Sequence, residues 1–470
     1  MLRLRASGGR GSAPNPAGAP PRTPPGEMIS PGPPHQESAL PTLNRSGIPK
    51  LEVAGLTKVY RDGAVVAVDD ISFTVESGET LALLGPSGCG KSTTLNMIVG
   101  LEQPSSGDIR IDGRSVIDVP AGRRDVGLVF QDYAVFAAMS VRDNLAFGLK
   151  VRKTDKAVVR SEVHKIAELL GLTECLDIKA GRLSGSEQQR VAIGRTLVTR
   201  PALLLLDEPL SNLEASARPA VRQELRRLQQ ELHLSIIYVT HDQTEALSLA
   251  DRVAIMNHGK IIQAEETLRI MQFPGHVQVA QFLGSPPMNI LRGRLADAEG
   301  GVKFTHAAFT VLFPACTLPA LVRERGANKQ YALGFRAEDL TLVPPEQGLW
   351  QGEILGVEIR GGDAVVNLSS HGSPLQCVVE HKLKAAPCAG LPPTRNAGGC
   401  NPSGLKTGTT LTAVRSADGL PAALENPSAS GDFSLSKGTP VGLTLAPETV
   451  VLFDGDSNLR LESAFVPVPQ

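Results

Sequence analysis

The sequence predicts an α/β fold built on a parallel sheet, followed by a second, β-rich region. Three observations predict it. The apolar run Leu81-Ala82-Leu83-Leu84 leads into Gly85-Pro86-Ser87-Gly88-Cys89-Gly90-Lys91-Ser92-Thr93 and then into the helix-like stretch Thr94 to Leu101. Further on, Leu203-Leu204-Leu205-Leu206 is a fully apolar strand carrying Asp207 and Glu208 at its C-terminal end, as expected where both faces of a parallel sheet are covered. Late in the chain, alternations such as Glu353-Ile354-Leu355-Gly356-Val357-Glu358-Ile359 read as half-buried strands.

The loop from Gly85 to Thr93 is where the chemistry concentrates. Glycines let the backbone curl until successive N–H groups point inward, and the helix that follows adds the partial positive charge of its N-terminus. Such a loop cradles phosphate. Lys91 is placed to reach β- and γ-phosphates, and the Ser92 hydroxyl to ligate Mg²⁺.

Composition narrows the classes. The 470 residues allow two to four domains. Lys and Arg number 47 against 48 Asp and Glu, a formal net charge of -1, so nothing in the balance points to nucleic acid or an anionic membrane surface. Six cysteines (Cys89, Cys175, Cys316, Cys377, Cys388, Cys400) show no paired metal-ligand spacing, and a reducing compartment fits them. No run of 18 apolar residues is present, so the chain is not expected to cross a bilayer by helix.

Residues 1–48 are rich in Pro, Gly, Ser and Ala and are expected to form a disordered tail, because they cannot bury enough surface to offset ordering entropy. Arg3, Arg5, Arg10 and Arg22 precede the first acidic residue, Glu27, a weak likeness to an organelle transit segment. From Leu51 the pattern becomes β-rich, with Leu51 to Tyr60 and Ile71 to Val75 as a strand pair before the phosphate loop. Tyr60 can stack on an adenine ring or be an ordinary strand-end tyrosine. Ile109 to Gly113 reads as strand and turn, and Val126 to Phe130 as a buried strand ending at Gln131. That glutamine can reach Mg²⁺ and an attacking water, or cap the strand.

Residues 132–182 read mainly as helix, with Ile166, Leu169 and Leu170 at helical spacing. The segment Leu183-Ser184-Gly185-Ser186-Glu187-Gln188-Gln189 then opens an amphipathic helix. Ser184, Gly185 and Ser186 there form either a second anion-binding helix start or a simple Ser N-cap. Asp207 suits Mg²⁺ and Glu208 suits general-base or water-orienting work. A helix from Val221 to Leu232 and a strand from Ser235 to Thr240 deliver His241, whose place at a strand's C-terminal end favours a phosphate contact over a structural role.

Taken together these segments resemble the ATP-binding subunits of ABC transporters, most closely the carbohydrate-importer type of maltose and glycerol-3-phosphate uptake systems. The resemblance covers roughly residues 51–380 and 436–463. Tyr60 matches the adenine-stacking aromatic, Gly85 to Thr93 the Walker A loop, and Gln131 the Q-loop. Leu183 to Gln189 matches the signature, Leu203 to Glu208 Walker B, and His241 the switch histidine. Gly284-Ser285-Pro286-Pro287-Met288-Asn289 looks like the sugar-importer subgroup.

The resemblance implies a RecA-like ATPase domain with a helical subdomain at 49–285, then a β-rich, OB-like (TOBE-type) accessory domain at 286–470. The accessory domain would hold a Gly/Pro-rich loop insertion at about 381–436. It implies ATP and Mg²⁺ as cofactors, with Ser92, Gln131 and Asp207 toward the metal. It also implies a second ATPase subunit, identical or different, whose ATP meets Ser184, Gly185 and Ser186. Transmembrane permease subunits would be direct partners at the cytoplasmic face of the cell membrane, and a solute-binding protein an indirect one. Tyr133, Phe136, Met139 and Phe147 would supply the docking surface or pack the helical subdomain.

Three departures from the family pattern stand out. Ser186-Glu187 replaces Gly-Gln in the signature, Glu214 replaces Asp in the D-loop Ser211-Asn212-Leu213-Glu214, and Ala137-Ala138 replaces Pro-His in the docking segment. A Glu187 carboxylate ~6 Å from a phosphate would repel it by roughly 2–3 kcal/mol at an effective dielectric of about 20. Polyamine or inorganic-anion import, and a degenerate regulatory subunit with weak hydrolysis, are the alternatives. A soluble ABC protein of DNA repair or translation would need coiled-coil insertions or tandem ATPase domains, which this sequence lacks. Cys89, between a helix N-terminus and Lys91, is expected to be a reactive thiolate.

Overall fold

The computed structural model describes residues 48–60, 63–298, 301–306, 310–314, 329–380, 436–445 and 449–461. Almost all of the expected tail and of the 381–436 insertion lies outside the described residues.

β1 (Leu51–Tyr60) and β2 (Val65–Val75) pair antiparallel, Leu51 opposite Val75. β3 (Thr80–Leu84), buried at every position, runs into the glycine loop and α1 (Lys91–Val99). β4 (Ser106–Ile111) and the short β5 (Arg114–Ser115) complete an antiparallel sheet of order β2-β1-β4-β5. Then follow β6 (Val126–Val129), α2 (Val141–Val151), α3 (Lys156–Leu169) and α4 (Gly185–Leu197). β7 (Leu203–Asp207), α5 (Arg218–Leu232), β8 (Ile236–Thr240) and α6 (Gln243–Leu249) come next. β9 (Arg252–Asn257), β10 (Lys260–Glu266), α7 (Thr267–Gln272) and α8 (Val277–Phe282) end this part.

The central sheet has the order β10-β9-β3-β8-β7-β6. Only the β9–β10 hairpin is antiparallel; β9, β3, β8, β7 and β6 run parallel. The leucine run of β7 and the fully buried β8 are the strands such a two-sided cover requires. On one side, β3, β7, β8 and α1 share a core with the antiparallel sheet through Leu51, Phe73, Leu83, Leu95, Ile109 and Val239. Helices α2 to α4 form a separate apolar cluster that includes Val141, Leu145, Val163, Leu170 and Val191. Ser140 and Asp155 accept hydrogen bonds from the first-turn amides of α2 and α3, which sets where those helices begin.

The helix expected across 132–182 is interrupted. Tyr133 and Ala134 have φ of 60° and 45°, outside the helical region. The buried Asn144 side chain accepts from Phe136 N and donates to the Phe136 and Ser140 carbonyls. This cross-link holds residues 130–140 as a loop on the start of α2, a tertiary effect invisible to helical periodicity.

Among the described residues the remaining chain is β-rich, with one 3-10 turn at Pro345–Gln347. β11 (Asn289–Ala298), β12 (Gly301–Thr305), β13 (Thr310–Pro314) and β14 (Gln330–Phe335) come first. β15 (Leu340–Val343), β16 (Trp350–Arg360), β17 (Asp363–Ser370) and β18 (Ser373–Glu380) follow. β19 (Pro440–Leu445) and β20 (Val451–Asp454) are last. They make two five-stranded sheets, β13-β12-β11-β14-β20 and β15-β19-β16-β17-β18. These close on one core through Phe304, Phe335, Trp350, Ile354, Val366 and Leu443. An additional cluster of Val277, Ala280, Met288, Ala332, Val451 and Phe453 ties α8 to this β-rich region. No helix among the described residues is long and apolar enough to cross a membrane.

Arg124 is a structural hinge pin for the glycine-loop helix. Its buried guanidinium donates to the Met97 and Ile98 carbonyls at the end of α1 and to the Ile117 and Val119 carbonyls. Removing it strands four acceptors and leaves a cavity, so Arg124→Ala should cost about 3 kcal/mol of stability. Arg124→Lys, lacking the fork, should recover less than half of that loss. Chemical denaturation midpoints check both.

Candidate active site

The parallel strands bring distant residues to one edge. The glycine loop follows β3, Gln131 lies just past β6, Asp207 ends β7 with Glu208 next, and His241 follows β8. Since β6, β7, β8 and β3 are adjacent and parallel, their carboxyl ends coincide, the usual place for a site in such sheets.

The loop is shaped by close approaches. A Cβ on Gly85 would lie 2.2 Å from the Met256 carbonyl oxygen, and Gly90, at φ 108°, would put one 2.5 Å from the Ala67 carbonyl oxygen. The second contact seats β2 against the loop. Lys91 is only 5% exposed, and its ammonium donates to the Gly85 and Pro86 carbonyls at 2.8 and 3.0 Å. The cradle thus holds its own cation. Ser92 donates to Asp207 Oδ1 at 3.3 Å. Burial pushes the Asp207 carboxyl above its ordinary range, with the Ser92 hydrogen bond pulling the other way. A hydroxyl beside a part-buried carboxylate is a hard-oxygen donor set, and it fits Mg²⁺.

Glu208 is the centre of the edge. Its φ of 44° is left-handed, a conformation a non-glycine residue keeps only where its surroundings over-determine it. Here they do: Glu208 N donates to the Val239 carbonyl at 2.9 Å, and Ser211 Oγ donates to the Glu208 carbonyl at 2.8 Å. The carboxylate then meets two side chains. His241 Nδ1 is 3.1 Å from Oε1, and Gln131 Nε2 donates to Oε2 at 3.5 Å.

Other residues named from the sequence sit apart. Tyr60 ends β1 with the Lys58 ammonium 4.8 Å from its ring centre. Ser184 is the N-cap of α4, and no hydrogen bond or ion pair among the described residues joins Ser184, Gly185 or Ser186 to the glycine loop. Glu187 does not project freely from this helix start. Its Oε2 accepts from Ser184 N at 2.9 Å and from Ser184 Oγ at 2.7 Å, and Ser184 caps the Glu187 amide in return. These Ser184 hydrogen bonds hold the carboxyl below its usual range. The effect of Glu187 therefore runs through Ser184, whose hydroxyl proton it occupies.

One expectation is corrected, and for Tyr133 the structure decides between two that were open. Cys89 is 4% exposed, and burial raises its thiol above the ordinary value, outweighing the nearby Lys91 charge. It is not a primed thiolate. Tyr133 is buried in the core, its hydroxyl pushed up to about 12 by burial, so it belongs to packing rather than to a docking surface. Phe136, Met139 and Phe147 are each more than a third exposed, with the Phe136 and Phe147 rings 4.7 Å apart.

The structure adds contacts that the sequence reading did not assign. Asn212 donates to the Gln131 carbonyl at 2.9 Å. Arg218 donates to the Ser211 and Leu213 carbonyls and lies 4.0 Å from Asp242. Asn212 was legible as part of the D-loop, whereas the only sequence signal of Arg218 was proximity to Walker B, because an Arg at a helix start looks like any solvated charge.

The ABC transporter family model matches residues 68–211. The putative uncharacterized ABC transporter ATP-binding protein YcjV of Escherichia coli K12 is 40% identical over 326 residues, 69% of this chain and 89% of that protein. The oligosaccharides import ATP-binding protein MsmX of Bacillus subtilis is 45% identical over 292 residues, 62% of this chain and 78% of that protein. The xylose/arabinose import ATP-binding protein XacK of Haloferax volcanii is 41% identical over 325 residues, 68% of this chain and 83% of that protein. With a glycine loop, a Glu208-centred edge and relatives matched over most of their length, the chain belongs to the ABC transporter ATP-binding proteins, the ATPases of membrane transport.

Proposed function

We propose that the chain energises import of a sugar, or of a sugar phosphate such as glycerol 3-phosphate, by hydrolysing ATP at the edge where β3, β8, β7 and β6 end. The observation that carries the reading is the Glu208 carboxylate, held between His241 and Gln131 beside a loop whose lysine is already buried. The import names of MsmX and XacK support a sugar. Solute choice would reside in the transmembrane and solute-binding partners, so a polyamine or inorganic anion is the alternative cargo.

Mg²⁺, when bound, supplies positive charge against the phosphate oxygens. Ser92 and Asp207 would hold it, with Gln131 as a further oxygen donor. Lys91 would exchange the Gly85 and Pro86 carbonyls for β- and γ-phosphate oxygens, and the loop amides from Gly85 to Thr93 would cradle the rest. Tyr60 would stack on the adenine. Glu208 would orient the attacking water and draw on its proton, while His241 would contact the γ-phosphate.

A second ATPase subunit, a copy or a different chain, would present its signature to this site and receive Ser184, Gly185 and Ser186 in exchange. Phe136, Met139 and Phe147 would face the transmembrane permease at the cytoplasmic side of the membrane, with the solute-binding protein acting from the far side. One observation favours a second reading. The Ser184 hydroxyl, spent on Glu187, would be a poor donor to a partner's ATP, as expected of a regulatory subunit or of a chain that needs a different partner.

Glu208→Gln should lower the ATPase turnover of the purified chain at least about 100-fold while ATP affinity stays within about threefold. Loss of affinity instead of turnover would contradict the role given to Glu208. The pair Ser186→Gly with Glu187→Gln should raise a slow wild-type rate about tenfold, equivalent to about 1.4 kcal/mol of barrier. A rate already fast and unmoved by the pair would leave two copies of this chain as the working unit. Chelation by EDTA should abolish turnover, with Mg²⁺ restoring it. Alkylation of Cys89 in the folded chain should be slower than that of a free thiol by about tenfold or more, since its thiol is buried and its ionisation suppressed.

A further inference from the structure

The end of β8 is enclosed by a set of hydrogen bonds that surrounds His241 without including it. Tyr238 Oη and Thr240 Oγ1 both donate to one oxygen, Glu245 Oε2, at 2.9 and 2.8 Å. The Asp242 amide donates to Thr240 Oγ1 at 3.0 Å. Asp242 Oδ1 in turn accepts from the Thr244 amide at 2.7 Å and the Glu245 amide at 3.4 Å. Tyr238, Thr240 and Glu245 are each no more than 3% exposed. Both chain neighbours of His241 are therefore tied down, and both ties lead to Glu245.

The histidine itself is left outside this set. Its side chain is 55% exposed, and the partner it meets is Glu208. Glu208 is pinned to the same strand, since its amide bonds the Val239 carbonyl between Tyr238 and Thr240. The strand end that Glu245 clamps thus carries both members of the His241–Glu208 pair. A carboxyl group suits this task because a single oxygen, with two lone pairs, can take two hydroxyl protons at once. Those hydroxyls satisfy a buried oxygen that would be costly to leave without a partner.

We propose that Glu245 is the positioning residue of His241, setting through Tyr238, Thr240 and Asp242 where its imidazole stands against Glu208 and the γ-phosphate. The proposal rests on the reading of His241 given above. It predicts that Glu245 matters to turnover mainly through His241, the member of the pair whose two chain neighbours it ties down.

The test uses the full chain as wild type, Glu245→Ala, Glu245→Gln, His241→Ala and the double variant His241→Ala/Glu245→Ala. ATP hydrolysis is followed at saturating ATP, with single turnovers for slow variants, and nucleotide binding is measured alongside with a fluorescent ATP analogue. Glu245→Ala should lower turnover about tenfold or more with analogue affinity within about threefold, and Glu245→Gln, whose amide oxygen can still accept both hydroxyls, should recover at least about a third of the wild-type rate. In the His241→Ala background, Glu245→Ala should cost less than about twofold, because residues acting as one unit are not additive. Equal losses in both backgrounds would overturn the proposal, as would Glu245→Ala turnover within about twofold of wild type. If His241→Ala is itself harmless, the reading of His241 falls and the proposal with it. If His241→Ala is inactivating and Glu245→Ala is not, the proposal alone fails. Should Glu245→Ala not fold, Tyr238→Phe combined with Thr240→Val removes the same donors with little change of volume. It should lower turnover about fivefold with binding intact, and unchanged turnover would overturn the proposal.

Discussion

Parallel register is the constraint on which the site depends. Leu84 lies opposite Thr240, Asp207 opposite Val239, and Val129 opposite Leu206. Gly85, His241, Glu208 and Gln131 therefore leave four adjacent strands within a residue or two of the same level. In a sheet whose side chains alternate between faces, a slip of one residue would turn every buried leucine of β7 to the other face and move Glu208 away from His241. The apolar runs that look like simple core are what hold the candidate site's edge in line.

A second regularity concerns charge. In this arrangement the ionisable groups at the centre of the edge are paired inside the protein. Lys91 rests on loop carbonyls, Asp207 on Ser92, and Glu208 on His241 and Gln131. Part-buried polar groups left unpaired would each cost of the order of 1–3 kcal/mol. The pairs supply that satisfaction. Under the function proposed above, phosphate oxygens would compete with these pairs, so the strength of the pairs would set part of the cost of engaging ATP.

Much of this was legible in the sequence because it depends on local pattern. The glycine loop, the leucine strand ending in Asp207-Glu208, and the strand delivering His241 announce themselves by periodicity and by the residue types at their ends. What escaped depends on which way a side chain turns in the folded chain. Helical spacing between 132 and 182 gave no warning of the loop that Asn144 stabilises, and the rule that a thiol beside Lys is activated ignored the burial of Cys89. Glu187 read as a charge projecting toward a partner, whereas helix capping turns it onto Ser184. Glu245 and Arg218 looked like ordinary helix residues, and only the fold places them beside the β8 end and the loop after Glu208.

The central claim is that ATP binds in the Gly85–Thr93 cradle with Glu208 poised at its terminal phosphate. A crystal structure of the Glu208→Gln chain grown with ATP and Mg²⁺ tests it most directly. The account predicts Lys91 Nζ withdrawn from the Gly85 and Pro86 carbonyls onto phosphate oxygens, the metal against Ser92 and Asp207, and His241 near the γ-phosphate. Nucleotide bound elsewhere, with Lys91 still on its two carbonyls, would contradict it.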